Sequence, residues 1–422
     1  MSERLINLQP SCADDYDPNA LSVPEALRRI DSEVEPLSGY ERLALRDALG
    51  RILAEDAVSP IDVPAHTNSA MDGYALRAAD LPDRDDRTFR MVGAAFAGAP
   101  YGGSIREGEC ARIMTGAVIP DGADTVVMQE HVEAQGDDIR VGPGNKRGQN
   151  VRAAGEDIPQ GGTVVAKGKR IGPAELGLLA SLGFAEVHVF RRPRVAFFST
   201  GDELRSLGET LGPGDIYDSN RYTLFGMLTR VGADVIDMGV VRDRRGDLQA
   251  AFRQASEVAD AVITSGGVSV GEADFVKDTL NSLGEVNFWK IAMKPGRPLA
   301  FGRLGDALFF GLPGNPVSVM VTFYEFVQPA LRRLMGNADS EAVTMRVPSA
   351  SRLRKRPGRV EYQRGILFRN ADGHFEVRVT GAQGSGILSS VSVANCFIVL
   401  PQDSDGVEPG ALVDVQPFEG LV

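Results

Sequence analysis

The chain has 422 residues, of which 43% are hydrophobic and 24% are charged, and this composition excludes a disordered or fibrous protein. Its 57 Asp and Glu residues outnumber 45 Lys and Arg residues, and the formal net charge of -12 disfavours nucleic acid as a partner because phosphate backbones are also negative. The three cysteines lack a CxxC spacing, and no apolar stretch approaches the ~18 residues of a membrane span. We therefore expect a cytoplasmic protein that does not insert into membranes.

The first predicted element is a helix over 22–34, because a Ser-x-x-Glu capping box precedes apolar residues at helical spacing. Short apolar runs broken by glycine follow and predict a small β-rich domain over 66–150. A second helix is predicted over 173–182, where Gly183 provides a typical helix end. The residues on either side of the β-rich domain are expected to form one discontinuous linking domain.

From residue 191, apolar β-branched runs alternate with amphipathic stretches, which is typical of a parallel α/β sheet. Strands are predicted over 194–199, 234–241, 260–265, 286–293, 299–303 and 307–311. Helices are predicted over 221–231 and 247–259 and from Pro316 onwards. The helix over 221–231 is expected to bury one face, made of Tyr222, Phe225, Leu228 and Val231.

The last part of the chain returns to β patterning, with a hairpin predicted at Asp372-Gly373. The fold class is therefore α/β plus β in a multidomain chain, with a central α/β domain, β-rich flanking domains and a C-terminal β module. The predicted domains are 19–65 with 151–190, 66–150, 191–338 and 339–422.

Four unusual loops follow strands of the predicted α/β sheet. They are TGDE (200–203), SGGVSVGEAD (265–274), KPGRP (294–298) and LPGNPVS (312–318). In open α/β sheets, ligands bind beyond the carboxyl ends of the strands. Each loop alone is typical of a simple turn, but four such loops in one domain predict a ligand site.

The SGGVSVGEAD loop offers an anion both backbone N–H groups and hydroxyl groups. The donors are Ser265, Gly266, Gly267, Ser269 and Gly271. The carboxylates of Glu272 and Asp274 would repel a phosphate unless a divalent cation lay between them, so the loop predicts Mg²⁺. The alternative is that these carboxylates cap the helix that starts near Phe275.

The LPGNPVS loop has the pattern of a helix N-terminus that binds an oxyanion, because the helix dipole is positive there. Asn315 is the expected N-cap, Pro316 the first helical residue and Ser318 a hydroxyl of the first turn. Lys290, Lys294 and Arg297 are nearby cations that would reinforce an anion site. The alternative for Lys290 is a solvated strand residue.

Eight segments in chain order resemble the molybdopterin molybdenumtransferase family, which includes MoeA and the gephyrin E domain. They are NSAMDGYA, RIMTGA, GEDI, STGDEL, YDSNR, SGGVSVGEADF, KPGRP and GLPGNPVS. The resemblance covers nearly the whole chain. It implies that the α/β domain binds molybdopterin and that the C-terminal module is β-barrel-like. It also implies an enzyme that inserts molybdenum from molybdate into adenylylated molybdopterin, with Mg²⁺-dependent release of AMP.

The resemblance also implies roles for individual residues. The catalytic positions would be Asp72, Thr115, Asp157, Glu203, Asp243, Asp274, Lys290 and Lys294. Of these, Glu203, Asp243 and Asp274 would hold Mg²⁺. Molybdopterin and molybdate would contact the glycine loop together with Arg297, Pro298, Pro313, Gly314, Asn315, Pro316, Ser318, Arg364 and Ser385. The family often has lysine where this chain has Arg297, which keeps the charge and changes its geometry.

The implied partners are a second copy of the chain, in a homodimer, and the proteins of molybdenum cofactor biosynthesis, among them molybdopterin adenylyltransferase. Two alternatives remain at this point. One is an enzyme that shares only the α/β domain, such as a molybdopterin adenylyltransferase or a CinA-like nucleotide-processing enzyme. The other is a dimeric, non-catalytic scaffold. The sequence does not distinguish molybdate from tungstate, because the two oxyanions demand the same donors.

Overall fold

The computed structural model describes residues 19–267, 274–337 and 342–418, without the side chains of Asp274 and Phe275. The predicted site residues Ser269 and Gly271, and the carboxylate of Glu272, lie outside the described residues. The chain divides into two compact units, which are described separately below. The larger consists of Met1–Glu41 with Phe190–Val422, and the smaller of Arg42–Val189.

The helices of the described residues are α1 (Val23–Glu33), α2 (Pro173–Ser181), α3 (Ser219–Val231), α4 (Arg245–Val258), α5 (Asp274–Leu283), α6 (Pro316–Thr322), α7 (Gln328–Leu334) and α8 (Ser389–Ser392). A π-helical turn, Phe323–Val327, joins α6 to α7. The helix predicted from the first capping box is confirmed, because the Ser22 hydroxyl accepts a hydrogen bond from the Glu25 N–H. No helix in the described ranges has the length and apolar character needed to cross a membrane.

Short strands dominate the chain up to residue 190. They are β1 (Tyr40–Ala44), β2 (Ala57–Val58), β3 (Asn68–Ser69), β4 (Gly73–Leu76), β5 (Arg87–Ala95), β6 (Glu109–Ile113), β7 (Thr125–Met128), β8 (Val132–Gln135), β9 (Asp138–Val141), β10 (Val151–Arg152), β11 (Thr163–Val165) and β12 (Glu186–Phe190). Six of them form a mixed sheet in the order β7-β4-β6-β5-β9-β8. Phe89, Val127 and Ile139 pack in its core.

The remaining strands belong to the larger unit. They are β13 (Arg194–Thr200), β14 (Leu204–Arg205), β15 (Ile216–Tyr217), β16 (Asp234–Val241), β17 (Ala261–Ser265), β18 (Gly284–Lys290), β19 (Met293–Lys294), β20 (Pro298–Leu304), β21 (Ala307–Leu312), β22 (Met345–Pro348), β23 (Leu353–Arg354), β24 (Val360–Arg369), β25 (Phe375–Val379), β26 (Cys396–Leu400), β27 (Gly406–Val407) and β28 (Leu412–Pro417).

The central sheet of the larger unit has the order β16-β13-β17-β21-β20-β18. The prediction of parallel strands holds for β16, β13, β17 and β21. It is wrong for β20, which is antiparallel to both neighbours. The reason is local: only Gly305 and Asp306 separate β20 from β21, and a two-residue connection permits only an antiparallel hairpin.

Helices cover both faces of this sheet. On one face, α1, α3, α6 and α7 contribute to a large apolar core. On the other, α4 and α5 pack against the sheet, with Phe252 between Phe198 and Phe309 at ring distances of 5.3 and 5.6 Å. The strands are therefore packed on both faces, and their ends hold the loops that follow them in position.

The predicted buried face of helix α3 is correct for Leu228 and Val231, which pack in the core, and wrong for its two aromatic residues. Tyr222 is 47% exposed and Phe225 is 50% exposed, whereas Leu224, Met227 and Leu228 are buried. The helix carries two apolar stripes, and the aliphatic one packs on the sheet core. The aromatic stripe remains on the surface of the chain.

The C-terminal part of the larger unit is a separate sheet in the order β19-β24-β26-β28-β22, with β25 paired to β24. The hairpin predicted at Asp372-Gly373 is confirmed, because Arg369 pairs with Phe375 across it. Strand β19 runs parallel to β24 and aligns Lys294 with Glu361. The KPGRP loop thus begins inside this second sheet.

Glu325, in the π-helical turn, is half-buried and contacts the C-terminal sheet through Tyr362. Its carboxylate accepts a hydrogen bond from the Tyr362 hydroxyl at 2.9 Å. Burial raises the pKa of Glu325 to about 7, although this hydrogen bond opposes the shift. The protonated carboxyl is therefore the form that the folded chain favours below that pH.

Replacing Glu325 with Gln will stabilise the protein at alkaline pH. The pKa in the folded chain lies above the unfolded value, so stability is lost as pH rises from the unfolded pKa through about 7. Gln keeps an acceptor for Tyr362 and does not ionise, so the variant should gain about 1 to 3 kcal/mol near ~pH 8 and little near ~pH 4. Urea unfolding at both pH values checks this, and an equal difference at the two would contradict it.

Candidate functional site

Three of the four predicted loops meet at one edge of the central sheet. Strands β13, β17 and β21 run in parallel, so the loops that follow them open on the same side. A cavity of about 750 Å³ lies there. Its lining includes 200–204, 216–220, 265–267, Asp243, Val276, Gly314, Pro316 and Gly386. The prediction that these loops form one pocket is confirmed for three loops.

The two glycines after β17 allow the loop to approach β13 closely. Gly266 and Gly267 have φ values of +92° and +69°, a region that L side chains rarely adopt. A Cβ atom on Gly266 would lie 2.6 Å from the Thr200 carbonyl oxygen, and one on Gly267 would lie 2.8 Å from Thr200 Oγ1. Only glycine fits this part of the cavity wall.

Asn220 joins two of the loops. Its Nδ2 donates to Ser265 Oγ at 2.8 Å and to the Gly314 carbonyl oxygen at 2.7 Å. Asp218 caps α3, because its Oδ1 accepts from the Arg221 N–H at 3.1 Å. Both residues line the cavity. Neither residue is among the predicted site residues, although the polar run YDSNR at a strand-to-helix junction is a signal that could have identified them.

Carboxylates surround the same cavity. Glu203 is exposed and folds over Gly201, where a Cβ atom would lie 2.7 Å from Glu203 Oε2. Asp243 is half-buried and also lines the cavity. Asp274 opens α5. Among the described residues, no group of three or more His, Cys, Asp and Glu side chains is close enough to hold a metal ion, whereas the oxygen atoms of Glu203 and Asp243 are the ligand type that Mg²⁺ prefers.

The LPGNPVS loop begins α6 as predicted, with Asn315 as N-cap and Pro316 in the first turn. The Asn315 side chain makes no capping hydrogen bond. The Val317 N–H, in the first turn, donates to the Ser385 carbonyl oxygen at 3.1 Å. The loop that carries Ser385 therefore lies directly at this helix end.

Ser318 is buried one turn into α6, and the KPGRP loop packs beside it. The Ser318 carbonyl oxygen accepts from Thr322 Oγ1 at 2.5 Å. A Cβ atom on Gly296 would lie 2.7 Å from the same Thr322 Oγ1. Because Pro313 and Gly314 precede α6 and Arg297 and Pro298 follow Gly296, the structure places these two loops together.

The predicted lysines lie apart from the glycine loop. Lys294 Nζ is 3.6 Å from Glu361 Oε1. Lys294 also lines a second cavity, of about 820 Å³, together with basic residues of the C-terminal sheet. Lys290 is exposed at the end of β18, and Arg297 is half-buried. Strand β18 is separated from β21 by β20, and none of the three cations is among the residues that line the first cavity.

Arg364 is fully buried and holds the loop that contains Ser385. Its Nη2 donates to the Gly384 carbonyl oxygen at 3.0 Å, and its Nε donates to Ser390 Oγ at 3.0 Å. Burial lowers the pKa of Arg364 to about 10, although the charge of Glu361 opposes the shift. The guanidinium thus shapes the loop at the N-terminus of α6.

The smaller unit contains the remaining predicted residues. Asp72 Oδ1 accepts from the backbone N–H and from the hydroxyl of Thr115, both at 2.7 Å. These two hydrogen bonds hold the pKa of Asp72 below its usual value, and the bond from the Thr115 backbone N–H has the larger effect. Asp157 is exposed, and its N–H donates to the Val63 carbonyl oxygen at 3.0 Å. The structure therefore joins Asp72 to Thr115 as an ordered pair.

Three regions of the chain match known sequence families. Residues 21–183 match the MoeA N-terminal region (domain I and II), residues 196–333 match a family described as a "Probable molybdopterin binding domain", and residues 346–418 match the MoeA C-terminal region (domain IV). These three matches, together with the central α/β sheet and the separate C-terminal β sheet, define a multidomain enzyme of the MoeA type.

Relatives that match nearly the whole chain identify a particular family within this class. A molybdopterin molybdenumtransferase of Haemophilus influenzae is 46% identical over 384 residues, which are 90% of this chain and 95% of the relative. One of Bacillus subtilis is 34% identical over 94% of this chain and 93% of the relative. The crystal structure of the molybdopterin biosynthesis MoeA protein from Pyrococcus horikoshii OT3 has a TM-score of 0.84 at 30% identity and covers 94% of this chain and 100% of that chain.

The chain therefore belongs to the molybdopterin molybdenumtransferase family. The resemblance seen in the eight segments is confirmed. Because the relatives match from the N-terminal to the C-terminal region, an enzyme that shares only the α/β domain is not favoured. The relatives are transferases, so the chain is an enzyme of molybdenum cofactor biosynthesis and the scaffold alternative is not favoured.

Proposed function

We propose that the chain inserts molybdenum from molybdate into adenylylated molybdopterin, with Mg²⁺-dependent release of AMP. The observation that carries this proposal is the cavity at the edge of the central sheet. It combines the glycine loop at 265–267, which suits phosphate oxygens, with the carboxylates of Glu203 and Asp243, which suit a divalent cation. A substrate with a pyrophosphate group needs both kinds of donor.

The residues proposed to hold Mg²⁺ are Glu203, Asp243 and Asp274. Bound there, the cation would polarise the scissile P–O bond and offset the charge of the phosphates. The residues of the chain would then orient the pyrophosphate through the backbone N–H groups of the glycine loop and the Ser265 hydroxyl. Lys290 and Lys294 are proposed to offset charge that develops on the leaving group.

Molybdate is proposed to bind where the KPGRP loop meets α6. Ser318 and Arg297 would contact the oxyanion, and Ser385 and Arg364 belong to the loop that reaches the same helix end. Pro298, Pro313, Asn315 and Pro316 would hold these loops in shape. The Asp72–Thr115 pair, in the small β-rich domain, and Asp157, in the linking domain, are also proposed to serve the reaction.

We also propose a homodimer. Tyr222 and Phe225, the aromatic stripe of α3, are exposed, and so are Leu207 and Leu211 in the segment that precedes α3 in sequence. Exposed apolar side chains of this kind are typical of an interface. Sedimentation velocity should give twice the mass of the chain, and a single-chain mass would contradict the dimer.

Adenylylated substrate would come from a molybdopterin adenylyltransferase in the cytoplasm.

The finer description of the fold is proposed as well. The central α/β domain, 191–338, would bind molybdopterin, and the C-terminal domain, 339–422, would close as a β-barrel-like module. The small β-rich domain would span 66–150, and 19–65 with 151–190 would form the linking domain. The sheet β7-β4-β6-β5-β9-β8, whose strands all fall within 66–150, supports the small β-rich domain.

The purified protein tests the reaction directly. With adenylylated molybdopterin, Mg²⁺ and molybdate, we expect AMP release and a product that reconstitutes a molybdenum apoenzyme. Asp274→Asn should fold normally and release AMP about a hundredfold or more slowly. Absence of AMP release by the wild type would refute the proposed reaction, and wild-type rates in the variant would refute the role of Asp274.

A further inference from the structure

Two buried acceptor oxygens lie beneath the wall of the first cavity. Asp218 is 2% exposed, and its Oδ1 is used to cap α3. Among the described residues, its Oδ2 has no hydrogen-bond partner, and the same holds for Asn220 Oδ1. A buried acceptor without a donor destabilises the fold unless something else donates to it. Both residues line the cavity, so a bound molecule is the natural donor.

Apolar side chains lie beside these oxygens. Ile216 and Tyr217 directly precede Asp218, line the same cavity and are 53% and 44% exposed. The Tyr217 hydroxyl donates to the Glu209 carbonyl oxygen at 2.9 Å, which fixes the ring. An ordered aromatic ring next to hydrogen-bond acceptors is well suited to a flat heterocycle that carries N–H groups on its edge.

We propose that Asp218 and Asn220 form a subsite for the N–H-bearing edge of an aminopyrimidine ring, with Tyr217 against the face of that ring. The subsite rests on the proposed function, because the substrate proposed there contains two such rings, a pterin and an adenine. The pterin presents an amino group and a ring N–H on one edge, whereas the adenine presents its amino group alone. Asp218 Oδ2 and Asn220 Oδ1 accept from that edge, and a small local shift of the cavity wall exposes them to it.

The variant Asp218→Asn isolates this role. Asn is as good an N-cap as Asp, and the change converts only the unpaired oxygen into an N–H donor. We therefore expect the ligand-free variant to have an unchanged or higher Tm. Its Kd for the ring ligand should rise by about ten- to a hundredfold, because two donors then face each other. The opposite effects on stability and binding separate a ligand contact from a purely structural residue.

Equilibrium titrations of the full chain, with a chelator present, would use three probes: AMP, 2-amino-4-oxopteridine and ribose 5-phosphate, which has no ring base. Loss of AMP binding alone assigns the subsite to adenine, and loss of pteridine binding alone assigns it to the pterin. Ribose 5-phosphate should bind equally to wild type and variant. Asp218→Ser, which also keeps a helix cap, should weaken the same probe.

Asp237→Asn is the matched control. Asp237 lies on β16 and accepts a hydrogen bond at 2.7 Å from Nε of Arg221, which is in the first turn of α3. Asp237 does not contribute to the cavity lining. This control should leave the Kd of both ring probes unchanged. It therefore reports any indirect effect of disturbing the start of α3.

Several results would overturn the proposal: no ring binding by the wild type, unchanged Kd for both rings in Asp218→Asn, or an equal loss for ribose 5-phosphate. If Asp218→Asn lowered the affinity for Mg²⁺ and left ring binding unchanged, Asp218 would be a cation ligand, and the proposed ring subsite would also be overturned. Ring binding is measured without turnover, so a failure of the ring subsite can be distinguished from a failure of the proposed reaction. Ring binding that depends on Asp218 without AMP release would keep the subsite and refute the reaction.

Discussion

Replacing Glu203 with Gln should lower Mg²⁺-dependent AMP release by about 10²- to 10³-fold while the fold remains intact. Glu203 is exposed, so the loss of its charge costs the folded chain little. Its carboxylate folds over Gly201 towards the cavity edge, and Gln retains that shape. The variant therefore removes one negative metal ligand and leaves the position of the loop unchanged.

The dependence on Mg²⁺ makes this test specific. If Glu203 binds the cation, the Mg²⁺ concentration for half-maximal AMP release should rise in Glu203→Gln, and excess Mg²⁺ should restore part of the rate. Glu209→Gln is the matched control, because Glu209 is an exposed glutamate in the segment between β14 and β15, close to Glu203 in sequence, and is absent from the cavity lining. An unchanged rate and an unchanged Mg²⁺ response in Glu203→Gln would remove Glu203 from the metal site.

Local patterns in the sequence predicted most of the larger unit correctly. The capping box at Ser22 starts α1, and Asp372-Gly373 lies in the β24–β25 hairpin. Both depend on contacts within a few residues. The buried face of α3 could not be predicted in the same way, because two apolar stripes compete and only packing against the sheet selects the aliphatic one.

The site required contacts that are far apart in sequence. Asn220 contacts Ser265 and Gly314, which are 45 and 94 positions away, and no local spacing encodes such a contact. The separation of Lys294 from the glycine loop has a similar origin. The antiparallel strand β20 inserts between β21 and β18, and Lys294 instead pairs with Glu361 on the second sheet.

MDGYA shows how a motif can combine structural and functional residues. In the structure, Gly73 begins β4, which is hydrogen-bonded to β6 on one side and β7 on the other. A Cβ atom at Gly73 would lie 2.1 Å from the Val127 carbonyl oxygen. Asp72 immediately precedes this point and receives both hydrogen bonds from Thr115.

Gly73→Ala should therefore destabilise the β-rich sheet by about 3 kcal/mol or more, because β4 is held between two strands and cannot move away from β7. Hydrogen exchange of the β4, β6 and β7 amides measures this locally. Asp72→Asn is the comparison: it should leave amide protection near the wild-type level and lower AMP release. Wild-type protection in Gly73→Ala would show that β7 yields to the new methyl group. If instead Asp72→Asn lost protection as strongly as Gly73→Ala, Asp72 would be a structural residue, and its place in the reaction would be refuted.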